Sequence, residues 1–157
     1  MKRIAERLVD LLRARGLTCA TAESCTGGGV GQALTAVPGA SAVYFGGVVS
    51  YDNSVKREVL GVSAAVLAQD GAVSASCAAA MADGVRRLLK TDLAVSVTGS
   101  AGPDGGTAEK PVGLVWFGLA TAEGVRTEKA IWQGTREGIR QEAIRHALGL
   151  LTVAAMP

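Results

Sequence analysis

Residues 21–29 read Thr21-Ala22-Glu23-Ser24-Cys25-Thr26-Gly27-Gly28-Gly29. A short apolar run, Leu17 to Ala22, precedes them and a helical pattern, Val30 to Val37, follows. A strand that turns into a helix within a few glycine-rich residues is the building unit of an open α/β sheet. The spacing places the helix start near Thr26 and its end at Pro38-Gly39. Ser24, Cys25 and Thr26 put hydroxyl and thiol groups at the turn. Structurally, such side chains cap a helix by accepting from its first free N–H groups. Chemically, they offer a nucleophile where free N–H groups can hold an oxyanion or a phosphate, with glycines that let a substrate reach the backbone.

The flanking chain supplies the frame. Ile4, Leu8, Leu11 and Leu12 recur at helical spacing over residues 2–15, and Gly16 stops that helix. Val43 to Tyr51 reads as a second strand, in which Gly46-Gly47 predicts a bulge or a close backbone approach. Asp52 opens a short helix to Leu60. Ser63 opens another to about Gln69, and Ser74 or Ser76 a long one to Lys90. Leu93 to Thr98 has the near-continuous apolar character of a central strand. After the glycine-rich loop 99–110, Val112 to Thr121 and Val125 to Trp132 form a hairpin about Glu123-Gly124. Thr135 to Thr152 is a closing amphipathic helix. This order predicts a three-layer α/β/α sandwich with a mixed, mostly parallel five-stranded sheet, in a single domain over residues 1–157. In such sheets ligands sit beyond the carboxyl ends of the strands. Glu23–Gly29, Tyr51–Lys56 and Gly99–Lys110 all begin there, which predicts one site.

Composition narrows the chemistry. A chain of 157 residues, 48% hydrophobic and 19% charged, has the length and balance of a globular protein with a real core. A formal charge of +2 without a Lys/Arg block gives no footing for nucleic acid. No apolar run reaches the roughly 18 residues that span a membrane. Acid and base inside an amphipathic N-terminus do not make a signal peptide. Cys19, Cys25 and Cys77 are odd in number and scattered, which suits free thiols in a reducing cytoplasm. His146 is the only histidine and no Cys-x-x-Cys occurs, so no zinc site is expected and little room is left for a Ser-His-Asp triad. A serine hydroxyl still needs a base. Lys56, five residues beyond Tyr51, is the candidate, because desolvation can lower a lysine pKa enough for that work. Cys25 competes with Ser24 as nucleophile or packs as a small hydrophobe. The loop 99–110 has neither Walker nor dinucleotide spacing, although its N–H groups can cradle an anion. The last helix carries Arg136, Arg140 and Arg145.

Three stretches together, Thr21-Ala22-Glu23-Ser24-Cys25-Thr26-Gly27-Gly28, Gly47-Val48-Val49-Ser50-Tyr51-Asp52-Asn53-Ser54-Val55-Lys56 and Thr98-Gly99-Ser100-Ala101-Gly102-Pro103-Asp104-Gly105-Gly106, followed by Lys110-Pro111-Val112-Gly113, resemble the CinA C-terminal domain family. The resemblance covers nearly the whole chain and lacks the N-terminal molybdopterin-binding-like domain, as in a stand-alone form. It implies a nicotinamide-nucleotide amidase that converts nicotinamide mononucleotide to nicotinate mononucleotide and ammonia in pyridine nucleotide recycling. It also implies no metal or other cofactor, a cytoplasmic setting, and a homo-oligomer, with a dimer expected. For the site it implies Ser24 as nucleophile, Lys56 as base and Tyr51 as an orienting group. Substrate contacts would come from Glu23, Cys25, Thr26, Gly27, Gly28, Gly102, Thr107 and Arg140, with Arg136 as the alternative arginine. Ser100 departs from the apolar residue that many relatives carry there. Two other functions stand beside the amidase: a silent nucleotide-binding module linked to competence or DNA damage, and an amidase for another small carboxamide. Presence of both Ser24 and Lys56 favours catalysis, since binding alone does not need the pair.

Overall fold

In a computed structural model that describes residues 1–157, the turn after residue 23 leaves an inner strand of a five-stranded sheet. The elements are α1 Lys2–Arg15, β1 Cys19–Glu23, α2 Gly29–Thr35, a 3-10 turn Ala40–Ala42, β2 Tyr44–Val49, α3 Asn53–Glu58, α4 Ala64–Gln69, α5 Ala75–Leu89, β3 Leu93–Gly99, β4 Leu114–Thr121, β5 Gly124–Ile131 and α6 Arg136–Ala155. The strand order is β2-β1-β3-β4-β5. β1 runs parallel to both β2 and β3, while β4 is antiparallel to β3 and to β5. Only β4 is reversed, so the carboxyl ends of β1, β2, β3 and β5 lie along one edge. The turn after β1, the connection into α3, the loop 100–113 and the start of α6 all leave from that edge. No helix is long and apolar enough to cross a membrane.

The sheet separates two cores, as the predicted three layers require. On one face α1, α2 and α6 bury Leu8, Leu12, Leu34, Leu148 and Leu151 against Val95, Val97 and Phe117. On the other, α5 buries Met81 and Val85 against Ala20, Ala22, Ala94 and Ala120. Alternation along the strands makes the division: Val95 and Val97 face one way and Ala94 the other. Alanine on the α5 side lets that helix lie close to the sheet. Ser96 Oγ bridges the gap, donating to Ala78 O at 2.5 Å and accepting from Gly118 N at 3.0 Å. His146 packs on Phe117 at 4.5 Å between ring centroids and bonds Glu128 of β5, at the margin of the other core.

Most predicted elements stand where the periodicity put them, and Asp52, Ser63, Ser74 and Thr135 each cap the following helix with the side-chain oxygen. Gly46-Gly47 marks a true irregularity, with the β1–β2 register shifting between Cys19 and Ala20. A side chain on Gly47 would meet Tyr44 Oη at 2.8 Å as well as Thr21, so the glycine permits close contact across β1 and β2. One boundary differs materially. α2 begins at Gly29, not near Thr26, and its N-cap Gly28 supplies no side chain. Gly27 and Gly28, with φ of 60° and 100°, hold the chain in turns for which L side chains are poorly suited.

A Cβ at Gly118 would press on Ala78 O and lie 2.6 Å from Ser96 Oγ. Gly118→Ala should therefore lower the unfolding free energy by about 1–3 kcal/mol, the usual result of overpacking, although alanine suits a strand better than glycine. Urea titration read by circular dichroism checks this; a midpoint at or above that of the parent would show that α5 yields to the methyl group.

Candidate active site

β1 and β2 are extended at their carboxyl ends by bonds that fix the next residues. Ser24 N donates to Val97 O at 2.9 Å, and Ser50 N donates to Glu23 O at 2.8 Å. Ser24 and Ser50 thus leave the sheet side by side. Two residues later Asp52 caps α3, its carboxylate accepting from Ser54 N at 3.0 Å and Ser54 Oγ at 2.6 Å. Lys56 falls in the first turn of α3. Helical side chains slant toward the N-terminus, which carries its stem back beneath the strand ends.

Lys56 is 1% exposed, the largest fully buried side chain in the protein. Its Nζ lies 2.9 Å from Ser24 Oγ, 2.6 Å from Ser50 O and 3.1 Å from Tyr51 O. As an ammonium it donates to all three oxygens. As a neutral amine it has two hydrogens, which match the two carbonyls, and a lone pair to accept from the Ser24 hydroxyl. Burial lowers its pKa below the ordinary lysine value, against smaller opposing influences of Cys77, Asp52 and Cys25. Ser24 is itself 8% exposed, with its hydroxyl on a cavity wall.

The turn that carries Ser24 is held from two sides. Inside, the buried Glu23 carboxylate accepts from Thr26 Oγ1 at 2.6 Å, Val30 N at 2.8 Å and Gly31 N at 3.1 Å. The side chain of a strand-end acid thus satisfies the first N–H groups of α2, a task the sequence assigned to Ser24, Cys25 or Thr26. Outside, Arg140 donates from Nε to Cys25 O at 3.0 Å and from Nη2 to Thr26 O at 3.2 Å. Both carbonyls being turned outward, the N–H groups of Cys25 and Thr26 take no partner on another residue. The Cys25 thiol is buried, and burial foremost pushes its pKa up to about 11.

A cavity of about 320 Å³ opens beside Ser24 and Lys56. Cys25, Tyr51, Asn53, Gly102, Asp104 and Arg136 are among the residues around it, with Ser100 on the same wall. Arg136 donates from Nη1 to Gly102 O at 2.7 Å and from Nη2 to Tyr51 Oη at 3.2 Å. It thereby joins the loop 100–113, the exit of β2 and the start of α6. Gly102 is buried at φ 72°, and a side chain there would run into Val112.

Several expected contacts are placed elsewhere. Glu23 and Thr26 face inward and bond one another, so neither carries a free polar group to the cavity. Gly27, Gly28 and Arg140 line a neighbouring cavity of about 280 Å³. Arg136, the alternative, is the arginine on the Ser24 cavity: one helical turn separates it from Arg140, and α6 enters so that its first turn meets the loop. Thr107 is exposed and outside the cavity, with its hydroxyl accepting from Lys110 N at 2.9 Å as part of the loop's own turn. Asn53 and Asp104 were not singled out by the sequence. Their only signal was position within the three convergent stretches.

The family model for the CinA C-terminal domain matches residues 1–154. A nicotinamide-nucleotide amidohydrolase PncC of Escherichia coli is 44% identical over 152 residues, covering 96% of this chain and 92% of that protein. A putative competence-damage inducible protein of Desulforudis audaxviator is 49% identical over 90% of this chain, but the chain spans only 34% of its length. The first two curated relatives are both about three times longer than the matched part, at 34% and 35% coverage. The crystal structure of competence/damage inducible protein CihA from Agrobacterium tumefaciens superposes with a TM-score of 0.94 at 42% identity, covering 98% of this chain and 94% of that one.

All three thiols are buried, and burial raises the pKa of each, to about 12 for Cys19 and about 11 for Cys25. At pH 8 the folded protein should therefore resist a disulfide reagent for hours, and urea should expose three reacting thiols. Rapid labelling of Cys25 in the native state would make it a rival nucleophile.

Proposed function

The chain belongs to the CinA C-terminal domain family, and on that premise we propose that it is an amidase that hydrolyses the carboxamide of nicotinamide mononucleotide, with Ser24 as nucleophile and Lys56 as base. The observation that carries this reading is the buried Lys56 amine 2.9 Å from Ser24 Oγ, with its other two contacts on carbonyl oxygens. Binding without chemistry requires no buried amine against a hydroxyl. The near full-length likeness to the E. coli amidohydrolase supports the choice of substrate.

In the proposed reaction, neutral Lys56 takes the hydroxyl proton as Ser24 Oγ bonds to the carboxamide carbon. The carbonyl oxygen becomes an oxyanion, and the unpartnered N–H groups of Cys25 and Thr26 are the donors available to it. The Lys56 ammonium then gives its proton to the amide nitrogen as the C–N bond breaks, so ammonia leaves and an ester on Ser24 remains. Water attacks the ester carbon, Lys56 takes one of its protons, and that proton returns to Ser24 Oγ as nicotinate mononucleotide departs. Lys56 ends neutral, and the second proton of the water leaves with the new carboxyl group, which gives it up to the released ammonia as the carboxylate forms. Cys25 fits this scheme through its backbone, because a thiol with a pKa near 11 has little thiolate at neutral pH.

Pure protein incubated with nicotinamide mononucleotide should release ammonia and nicotinate mononucleotide in equal amounts. Well-folded protein that forms neither product refutes the proposal. Ser24→Ala should abolish turnover yet bind the nucleotide within a few-fold of the parent, whereas normal turnover would transfer the attack to Cys25 or to water.

Lys56→Met should lower kcat by about 10²–10⁴-fold, the usual loss on removal of a general base, with a smaller change in binding. In the parent, kcat/KM should rise with pH as Lys56 loses its proton. Because burial lowers that pKa, the midpoint should fall below the ordinary lysine value. A loss confined to KM in the variant would make Lys56 a substrate ligand instead.

A further inference from the structure

The Ser24 cavity bears two opposite charges that the protein keeps apart. Arg136 is held by Gly102 O and Tyr51 Oη. Asp104 lines the same cavity from the loop 100–113, is exposed, and takes part in none of the chain's ion pairs. No side chain or backbone N–H of the protein bonds its carboxylate, whereas Asp52, another acid at this edge, is bonded by Ser54. Asp104 therefore gives the loop that carries it no side-chain hydrogen bond or ion pair.

Its charge also works against a plain amidase. Attack by Ser24 creates an oxyanion, and the product carries a carboxylate, so an anion on the wall opposes both. A cavity of about 320 Å³ would be roughly 8–9 Å across if spherical, about one Debye length, so salt screens Asp104 from the contents only in part. The charge becomes useful where the substrate brings a cation of its own. A pyridinium carboxamide does so: its ring nitrogen is quaternary and stands two bonds from the carbon that bears the carboxamide.

Resting on the amidase reading, we propose that Asp104 is a specificity residue that selects carboxamides borne on a positively charged ring over neutral ones. Its carboxylate attracts the ring and leaves Ser24 and Lys56 to the amide. Arg136, the opposite charge on the cavity, suits the anionic end of a mononucleotide. Nicotinamide mononucleotide, with cationic ring and anionic phosphate, matches this pair of charges, and its ring-reduced form, with a neutral ring, does not.

The test is calorimetric binding of nicotinamide mononucleotide and of its reduced form to Ser24→Ala protein, with and without Asp104→Asn. The two ligands differ in ring charge and share sugar and phosphate. Asp104 intact, the cationic form should bind roughly tenfold tighter, the effect of one partly screened charge at this range. Asp104→Asn should remove most of that preference and leave the reduced ligand's affinity within about twofold. Asp104→Glu should keep part of the preference. In otherwise native enzyme, Asp104→Asn should raise KM for the mononucleotide about tenfold at low salt and change kcat little. Equal affinities for both ligands with Asp104 intact, an equal loss for both in Asp104→Asn, or no binding of the mononucleotide would overturn the proposal. An Asp104-dependent preference in a protein that never turns the nucleotide over would sink the amidase reading and leave this one standing.

Discussion

A lysine amine sealed from water must find partners for every hydrogen it keeps, because an unmatched donor there costs several kilocalories per mole. Lys56 meets that demand with two backbone carbonyls and one serine hydroxyl. The carbonyls belong to Ser50 and Tyr51, the residues that leave β2, and the hydroxyl to the residue that leaves β1. Their positions follow from the Ser24–Val97 and Ser50–Glu23 backbone bonds, so the pair exists only if β1 lies between β2 and β3 in this register. A slip of one residue would turn Ser24 to the opposite face and strand the amine. The parallel centre of the sheet, the short α3 and the Asp52 cap can all be seen as conditions on one buried nitrogen.

The same economy of partners shapes the turn. Two glycines would leave residues 24–28 loosely specified on their own, since glycine restrains the backbone little. Glu23 pulls the segment inward through Thr26, Val30 and Gly31, and Arg140 holds two of its carbonyls from outside. With carbonyls engaged and two N–H groups left free, the turn has the polarity of an anion cradle, although it precedes α2 and borrows nothing from a long helix dipole. Rigid support from both flanks is what such a cradle requires, because its donors must stand in place before charge develops.

Much of this was legible in the sequence because it rests on periodic or local signals. Apolar spacing located the helices and strands, hydroxyl and carboxylate residues located three helix caps, and parallel strands brought three distant stretches to one edge. The remainder depends on rotation and depth, which no spacing encodes. Arg136 and Arg140 share a face of α6, and only the angle at which that helix leaves β5 decides which one meets the cavity. Glu23 looked like one more polar group at the turn, since a strand-end acid carries no mark of whether it points to solvent or into the start of the next helix. Thr107 lies in the same loop as Asp104, and the turn between Thr107 and Lys110 decides which of them reaches the site.

The distribution of charge around the cavity separates two tasks that a single wall would confuse. Deep in the site, Ser24 and Lys56 are bounded by backbone carbonyls and a thiol held in its neutral form, and no carboxylate orients the base. The lysine pKa there is lowered by desolvation first, not by a neighbouring cation, so it depends on how deeply the amine is buried. At the mouth, Arg136, Asp104 and the 63%-exposed Tyr51 face water, where charges are partly screened and can discriminate ligands without disturbing that pKa strongly. A histidine–carboxylate pair would have added a fixed negative charge behind the base. A lysine oriented by carbonyls avoids it, and that leaves the rim free to carry an anion for recognition.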